Sequence, residues 1–221
     1  MNIVFDLDGT LIDSAPDIQF VASSLLEELG KAALTLEETR YFIGEGSAVF
    51  VQRMMDERGI EETGGVHAAL LEQFLSRYEA AVDKAVFYPG VENLLESLRS
   101  GGFRLGLCTN KPAGPTAAVL QHMGLAEVFG AVVAGGMVAN RKPAPDMLEE
   151  TIRRLGGGAT LYVGDSEIDA ETAERAGVPF ALFSGGYHKR PVAEIHHDWL
   201  FDSFAELPGI IDAQVRATIT P

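Results

Sequence analysis

Cysteine is almost absent from this sequence: Cys108 stands alone in 221 residues, which excludes an internal disulfide and suits a reducing compartment. Long apolar runs are missing as well. None approaches the roughly 18 to 20 residues that span a bilayer. The opening Met1-Asn2-Ile3-Val4-Phe5-Asp6 has no basic stretch leading into an apolar one, so no signal peptide is expected and a cytoplasmic location is. Positive charge is scarce: 17 Lys and Arg face 32 Asp and Glu, a net −15. A field of that sign repels phosphate backbones and anionic lipid, which argues against nucleic acid and membrane surfaces as partners. Internal repeats and low-complexity segments are lacking too. What remains, 47% apolar and 22% charged residues, is the balance of a globular protein long enough to bury its own core.

Short apolar runs with β character end in polar or glycine residues at Ile3-Val4-Phe5, 104–108, 131–134, 160–163 and 179–183. Helical periodicity alternates with them over residues 91–100, 113–123, 145–155 and 168–176. Such alternation predicts a parallel sheet covered on both faces, a Rossmann-like α/β core. One stretch breaks it. From about Ser14 to Ala85 only helical patterns occur, over 16–29, 36–43, 46–58 and 66–82, broken by Gly30, Gly44-Glu45-Gly46 and Gly64-Gly65. Thr35 and Glu38 have capping-box spacing for the second of them. The expected organisation is therefore a core of residues 1–13 and 88–221 with an inserted four-helix cap over 14–87. Its hinges are expected at Ser14–Pro16 and Lys84–Pro89, with the sheet resuming near Tyr88-Pro89-Gly90.

Asp6-Leu7-Asp8-Gly9-Thr10 follows directly on the first strand. Alternate side chains of an extended chain point the same way and stand about 6.5 to 7 Å apart, so Asp6 and Asp8 can address one pocket. That pocket lies at the carboxyl end of the strand, where open α/β sheets place ligands. Carboxylates held this close repel unless a divalent cation or a proton intervenes. Gly164-Asp165-Ser166-Glu167-Ile168-Asp169 follows another strand and opens a helix, with Asp165 and Asp169 four apart, although N-capping by Asp165 or Ser166 alone would explain the segment. Thr109-Asn110-Lys111 closes a third strand, and Arg141-Lys142-Pro143 precedes a helix near Asp146. Each is weak alone. Together they supply carboxylates, neutral donors and a lysine at successive strand ends, the inventory that a phosphoryl group requires. Aspartates without a His or Cys cluster suit Mg²⁺ rather than zinc.

In that order these segments resemble the haloacid dehalogenase superfamily of phosphatases, and the resemblance spans nearly the whole chain, cap included. It is closest to phosphoglycolate phosphatases over Phe5-Asp6-Leu7-Asp8-Gly9-Thr10-Leu11-Ile12-Asp13-Ser14, Thr109-Asn110-Lys111-Pro112, Arg141-Lys142-Pro143, Val163-Gly164-Asp165-Ser166 and Gly185-Gly186-Tyr187. The resemblance implies Asp6 as nucleophile, Asp8 as general acid then base, Thr109 helped by Asn110 on a phosphoryl oxygen, and Lys142 offsetting charge. It implies Mg²⁺ on Asp6, Asp8 through its carbonyl, Asp165 and Asp169, and a small phosphorylated metabolite as substrate. An aspartate at position 8 is what an oxygen leaving group needs, so a phosphomonoester is expected.

Within the cap, Gly44-Glu45-Gly46 is the turn expected to reach the pocket, with Lys111 and Arg53 as further candidate substrate contacts. Related phosphoglycolate phosphatases commonly carry a neutral amide where Glu45 stands, and an acid near Met137. A carboxylate at position 45 would oppose an acidic substrate unless it turns away or pairs with Arg53 or Lys111. Sugar-phosphate mutase, pyrophosphatase or nucleotidase, and a non-catalytic binding protein are the rival readings. Cys108 reads as a core residue, His196-His197 as a loop, His188-Lys189-Arg190 as a solvated loop or a minor anion contact, and Met54 and Met55 as cap core.

Overall fold

The computed structural model of the protein describes residues 1–219, without the side chains of 218 and 219. Six strands form one parallel sheet: β1 (Asn2–Phe5), β4 (Arg104–Pro112), β5 (Ala131–Gly135), β6 (Thr160–Gly164), β7 (Phe180–Phe183) and β8 (Trp199–Phe201). Their order is β5-β4-β1-β6-β7-β8, all parallel. β1 is central, flanked by β4 and β6, and successive crossovers leave it in opposite directions. A crevice therefore opens beyond the carboxyl ends of these three strands.

Both sheet faces are buried, as the near-continuous apolar strands require. Ile3 and Phe5 of β1 face a core closed by α5 (Val91–Ser100), α6 (Ala113–His122) and α9 (Leu207–Ile219). Val4, one residue out of phase, joins Cys108, Tyr162 and Phe180 under α7 (Asp146–Arg154) and α8 (Glu167–Ala176). The Cys108 thiol is fully buried and burial pushes its pKa up to about 12, so it is a core residue rather than a nucleophile.

Between β1 and α5 the chain makes α1 (Ala15–Glu28), α2 (Leu36–Phe42), α3 (Ser47–Glu57) and α4 (Val66–Tyr78). These four helices share their own apolar core, in which Met54 and Met55 are wholly buried and Phe42, Phe50, Phe74 and Tyr78 form a chain of ring contacts. The Thr35 and Glu38 capping box is present in full. The chain does not re-enter the large sheet at residues 88–90. Two-residue strands β2 (Ile12–Asp13) and β3 (Val86–Phe87) pair antiparallel and clasp both ends of the insertion, and the next strand of the large sheet begins at Arg104. Asp17 of α1 tightens this clasp by accepting from the Lys84 and Ala85 N–H groups. β8 and α9 are additions to the predicted elements. No described helix is long and apolar enough to cross a membrane.

Candidate active site

Every strand bordering the crevice delivers one functional segment to it. Asp6 follows β1, its N–H held by Val163 O at 2.9 Å, which fixes the end of β1 against β6. The chain then turns at Gly9, whose φ of +92° and proximity to Asp165 leave no room for a side chain; a Cβ there would stand 2.4 Å from Asp165 Oδ2. The turn lets the Thr10 hydroxyl donate to Asp165 Oδ1 at 2.6 Å. Asp8 points across to β4, where Lys111 Nζ lies 3.1 Å from its Oδ1, and the Ser14 hydroxyl donates to that same oxygen at 2.5 Å. Lys111 also contacts the Tyr78 hydroxyl of α4. Asp6, Asp8, Thr109, Lys111, Lys142 and Asp165 all line one cavity of about 50 Å³ between sheet and helices.

Lys142 is the hub of the charged groups. Its Nζ stands 2.8 Å from Asp6 Oδ1, 2.7 Å from Asp169 Oδ1 and 3.0 Å from the Tyr162 hydroxyl, which itself donates to Asp169 at 2.6 Å. Ser166, not Asp165, caps α8, and Asp169 completes the box by accepting from the Ser166 N–H and hydroxyl. Asp165 is left to face Asp6. One oxygen each of Asp6, Asp165 and Asp169 fall within 4.8 Å of one another, all three residues buried.

Asn110 lines the cavity, and its side chain is already engaged. Both amide hydrogens are committed, to Gly44 O at 2.9 Å and Lys142 O at 3.0 Å, and its oxygen accepts from the Lys142 N–H. Asn110 is a clamp that joins the cap turn to the Lys142 loop. Thr109 accepts from the Lys111 N–H at 3.1 Å, so its own proton can point into the cavity. Gly44 and Gly46 line the cavity, whereas Glu45 and Arg53 do not. Glu45 pairs with Arg53 and, at 3.1 Å, with Lys189, a cavity residue from the loop after β7. Lys111 is not its partner. Tyr78 and Tyr162 are site residues beyond those expected, and Tyr187 and Lys189, the latter weighed as a solvated loop or a minor anion contact, line the cavity.

The profile of the haloacid dehalogenase-like hydrolases matches residues 3–183. The chain belongs to that family. A phosphoglycolate phosphatase of Cereibacter sphaeroides is 45% identical over 213 residues, 95% of this chain and 97% of the relative. A solved structure described as a predicted phosphoglycolate phosphatase from Haemophilus somnus superposes with a TM-score of 0.89 at 30% identity, covering 95% of this chain and 97% of its own. CbbY of Rhodobacter sphaeroides, solved with phosphate, gives 0.80 at 25% identity over 93% and 95% of the two chains. This family member is a phosphatase.

Electrostatics explain why its acidic cluster invites a cation. Burial pushes the Asp6 pKa up to about 7; Lys142 opposes the rise, while Asp169 and Asp8 add to it. Burial, then Asp169 and Asp6, raises Asp165 well above the carboxylate range. Burial works against Asp169 as well, but Lys142 outweighs it and holds that carboxyl low. Lys142 is raised, since Asp169 and Asp6 together overcome its own burial. One lysine thus faces both Asp6 and Asp169, and Asp165 is held by neutral donors, the Thr10 hydroxyl and the Tyr187 N–H. Asp6 Oδ1 is buried with Lys142 Nζ at 2.8 Å as its charged neighbour. An all-oxygen donor set of three buried carboxyls beside one lysine fits a hard divalent cation.

Proposed function

We propose that this phosphatase hydrolyses a small phosphomonoester with Mg²⁺ through an aspartyl-phosphate on Asp6, and that 2-phosphoglycolate is its substrate. The observation that carries the proposal is the buried acidic cluster: one oxygen each of Asp6, at the end of the central strand, Asp165 and Asp169 lie within 4.8 Å of one another, with one lysine beside them. Asp6 and Asp165 side chains would hold the ion with the Asp8 carbonyl, and Asp169 would act behind them by fixing Lys142. Bound there, Mg²⁺ supplies charge neutralisation that lets an anionic nucleophile approach an anionic phosphoryl group.

In the first half-reaction an Asp6 oxygen bonds to phosphorus and the bond to the substrate oxygen breaks. Asp8, held by Ser14 and Lys111, delivers a proton to the departing alkoxide. In the second, Asp8 takes a proton from water, whose oxygen bonds to phosphorus as the acyl-phosphate bond breaks and Asp6 is regenerated. Thr109 donates to a peripheral oxygen, and Lys142 stays between Asp6 and Asp169 throughout as fixed positive charge. The apolar side of the cavity, Ile18, Ile43, Phe50 and Ile168, keeps bulk water from the acyl phosphate. At about 50 Å³ the cavity holds only a few water-sized groups at roughly 10 to 15 Å³ each, which suits a short leaving group under a closed cap.

The choice of 2-phosphoglycolate follows the name of the 45%-identical relative. The test is phosphate release from 2-phosphoglycolate and from neutral phosphomonoesters, with Mg²⁺ and with chelator. Release that needs Mg²⁺ and favours 2-phosphoglycolate supports the proposal. Isomerised sugar phosphate without free phosphate would make the enzyme a mutase instead.

A further inference from the structure

Three lysines line the cavity, and they are not equivalent. Lys142 is bound to Asp6 and Asp169, and Lys111 to Asp8 and Tyr78. Both therefore stand on carboxylates that the proposed chemistry uses, and neither can exchange its partner for a substrate group without disturbing those acids. Lys189 is different. Its Nζ contacts Glu45 Oε1 of the cap turn at 3.1 Å and lies 5.8 Å from the Tyr41 ring centre. The Lys189 side chain is only 15% exposed, whereas that of Glu45 is 38% exposed and outside the cavity lining.

Glu45 can leave Lys189 without moving the turn that carries it. The turn is tied to the core through its backbone: Asn110 donates to Gly44 O at 2.9 Å and Arg141 to Glu45 O at 3.1 Å. The freed carboxylate keeps a partner, because Arg53 of α3 holds the same Oε1. Lys189 keeps its place too, since its N–H donates to Glu167 Oε2 at 3.2 Å. The pair is thus a carboxylate bound to a cavity lysine from outside, with both halves anchored separately.

We propose that Lys189 determines specificity by receiving a carboxylate on the leaving-group half of the substrate, with Glu45 occupying that position until the substrate displaces it onto Arg53. The substrate class is a phosphorylated small hydroxy acid, and the inference rests on the phosphomonoester hydrolase reading above. An acidic residue at position 45 then competes with an acidic substrate only for Lys189 and, once displaced, is neutralised by Arg53. It keeps Lys189 paired when the site is empty, shared between Lys189 and Arg53, and rests on Arg53 when the site is filled.

The experiment compares kcat/KM for 2-phosphoglycolate and for glycerol phosphate, a phosphomonoester without a carboxylate, in wild type, Lys189→Met, Lys189→Arg and Glu45→Gln. Lys189→Met keeps the aliphatic stem and removes the charge. It is expected to lower kcat/KM for 2-phosphoglycolate about 30-fold, mainly through KM, with glycerol phosphate within about threefold of wild type. Lys189→Arg should restore most of the preference. Glu45→Gln should raise kcat/KM for 2-phosphoglycolate about threefold, by removing the competing carboxylate, and leave glycerol phosphate unchanged. Equal losses on both substrates in Lys189→Met, or no loss on either, would overturn the assignment while leaving the hydrolase reading intact. Failure of the wild type to release phosphate from any phosphomonoester would remove both.

Discussion

The Tyr187 hydroxyl donates to Asp13 Oδ1 over 2.5 Å, joining a loop of the core to the strand that leads into the cap. The same hydroxyl accepts from the Ala15 N–H at 3.1 Å, at the first turn of α1, and Asp13 pairs through its other oxygen with Arg40 of α2 at 2.6 Å. The Tyr187 ring packs into the apolar core of the cap helices, and its N–H donates to Asp165 Oδ2 at 2.6 Å. One residue therefore touches the segment that joins core and cap, the cap itself and an acid of the buried cluster.

Tyr187→Phe keeps the ring and the bond to Asp165 but leaves the Ala15 N–H and Asp13 Oδ1 only their longer bond to each other, at 3.3 Å. If the hydroxyl positions the cap, the Ala15 amide should exchange with solvent faster, since a buried bond at the hinge is gone. kcat/KM for the small substrate should fall about tenfold, because closure and not chemistry is impaired. Combining it with Asp13→Asn should add little beyond either change, as the two belong to one network. Full additivity, with unchanged exchange at Ala15, would reduce Tyr187 to a packing residue.

These relationships mark what the sequence could and could not display. Asp6, Asp8, Thr109 and Asp165 are legible because an apolar strand that ends in a polar side chain is a local pattern, and the parallel topology then gathers the strand ends. The capping box of Thr35 and Glu38 is legible for the same reason. The partners of Lys189 and Tyr187 are not, because Glu45 and Asp13 lie 144 and 174 residues away and no periodicity connects them. Asn110 shows a subtler limit. Its position at a strand end points into the site, but its hydrogen bonds are already taken by Gly44 and Lys142, which only the folded chain brings within reach. β2 and β3 have two residues each, too few for any alternation to register. In α9 the apolar Leu207, Ile210, Ile211 and Val215 do carry helical spacing, so that helix was within reach of the pattern.

Glu38 supplies a test by pH. Hydrogen bonds from Arg58 are the main cause of a carboxyl pKa lowered from 4.5 to about 2, with the Thr35 cap adding to them. A depressed carboxylate stabilises the fold above its unfolded pKa, and that contribution is lost as pH falls through the folded value. Glu38→Gln can still cap α2 but cannot pair with Arg58. Urea unfolding should find the wild type more stable than Glu38→Gln at pH 7, and the difference should shrink between about pH 4.5 and about pH 2. A difference that persists unchanged at the acid end would mean that charge pairing with Arg58 is not its source.

Divalent metal should act on stability as well as on rate. A ligand bound only by the folded state adds about 2.7 kcal/mol at one hundred times its dissociation constant. For a chain of this size that corresponds to a rise of about 5 to 10 °C in unfolding temperature. Titrating Mg²⁺ into chelator-treated protein should produce such a rise, and Asp165→Asn should lose most of it because one facing carboxylate is gone. A rise of equal size in Asp165→Asn would place the ion elsewhere.

Asp6→Asn separates catalysis from stability in one variant. An amide in place of the nucleophilic carboxylate cannot form the acyl phosphate, so turnover should fall by about 1,000-fold or more. The fold should gain at the same time. Burial holds the Asp6 carboxyl at a pKa of about 7, so at pH 8 without metal the native state carries an ionised group that its surroundings disfavour. The neutral amide removes that cost, and Lys142 keeps Asp169 at 2.7 Å as its partner. In chelator at pH 8 the variant should therefore melt about 2 to 4 °C above wild type, the shift that about 1 kcal/mol produces in a chain of this length. The strain comes from the same burial that would shield the proposed nucleophile from water, so a variant both inactive and more stable is the expected signature. An Asp6→Asn protein that turned over at the wild-type rate would remove the covalent step. One that was inactive but less stable than wild type in chelator would show that the Lys142 pair, and not desolvation, dominates at Asp6.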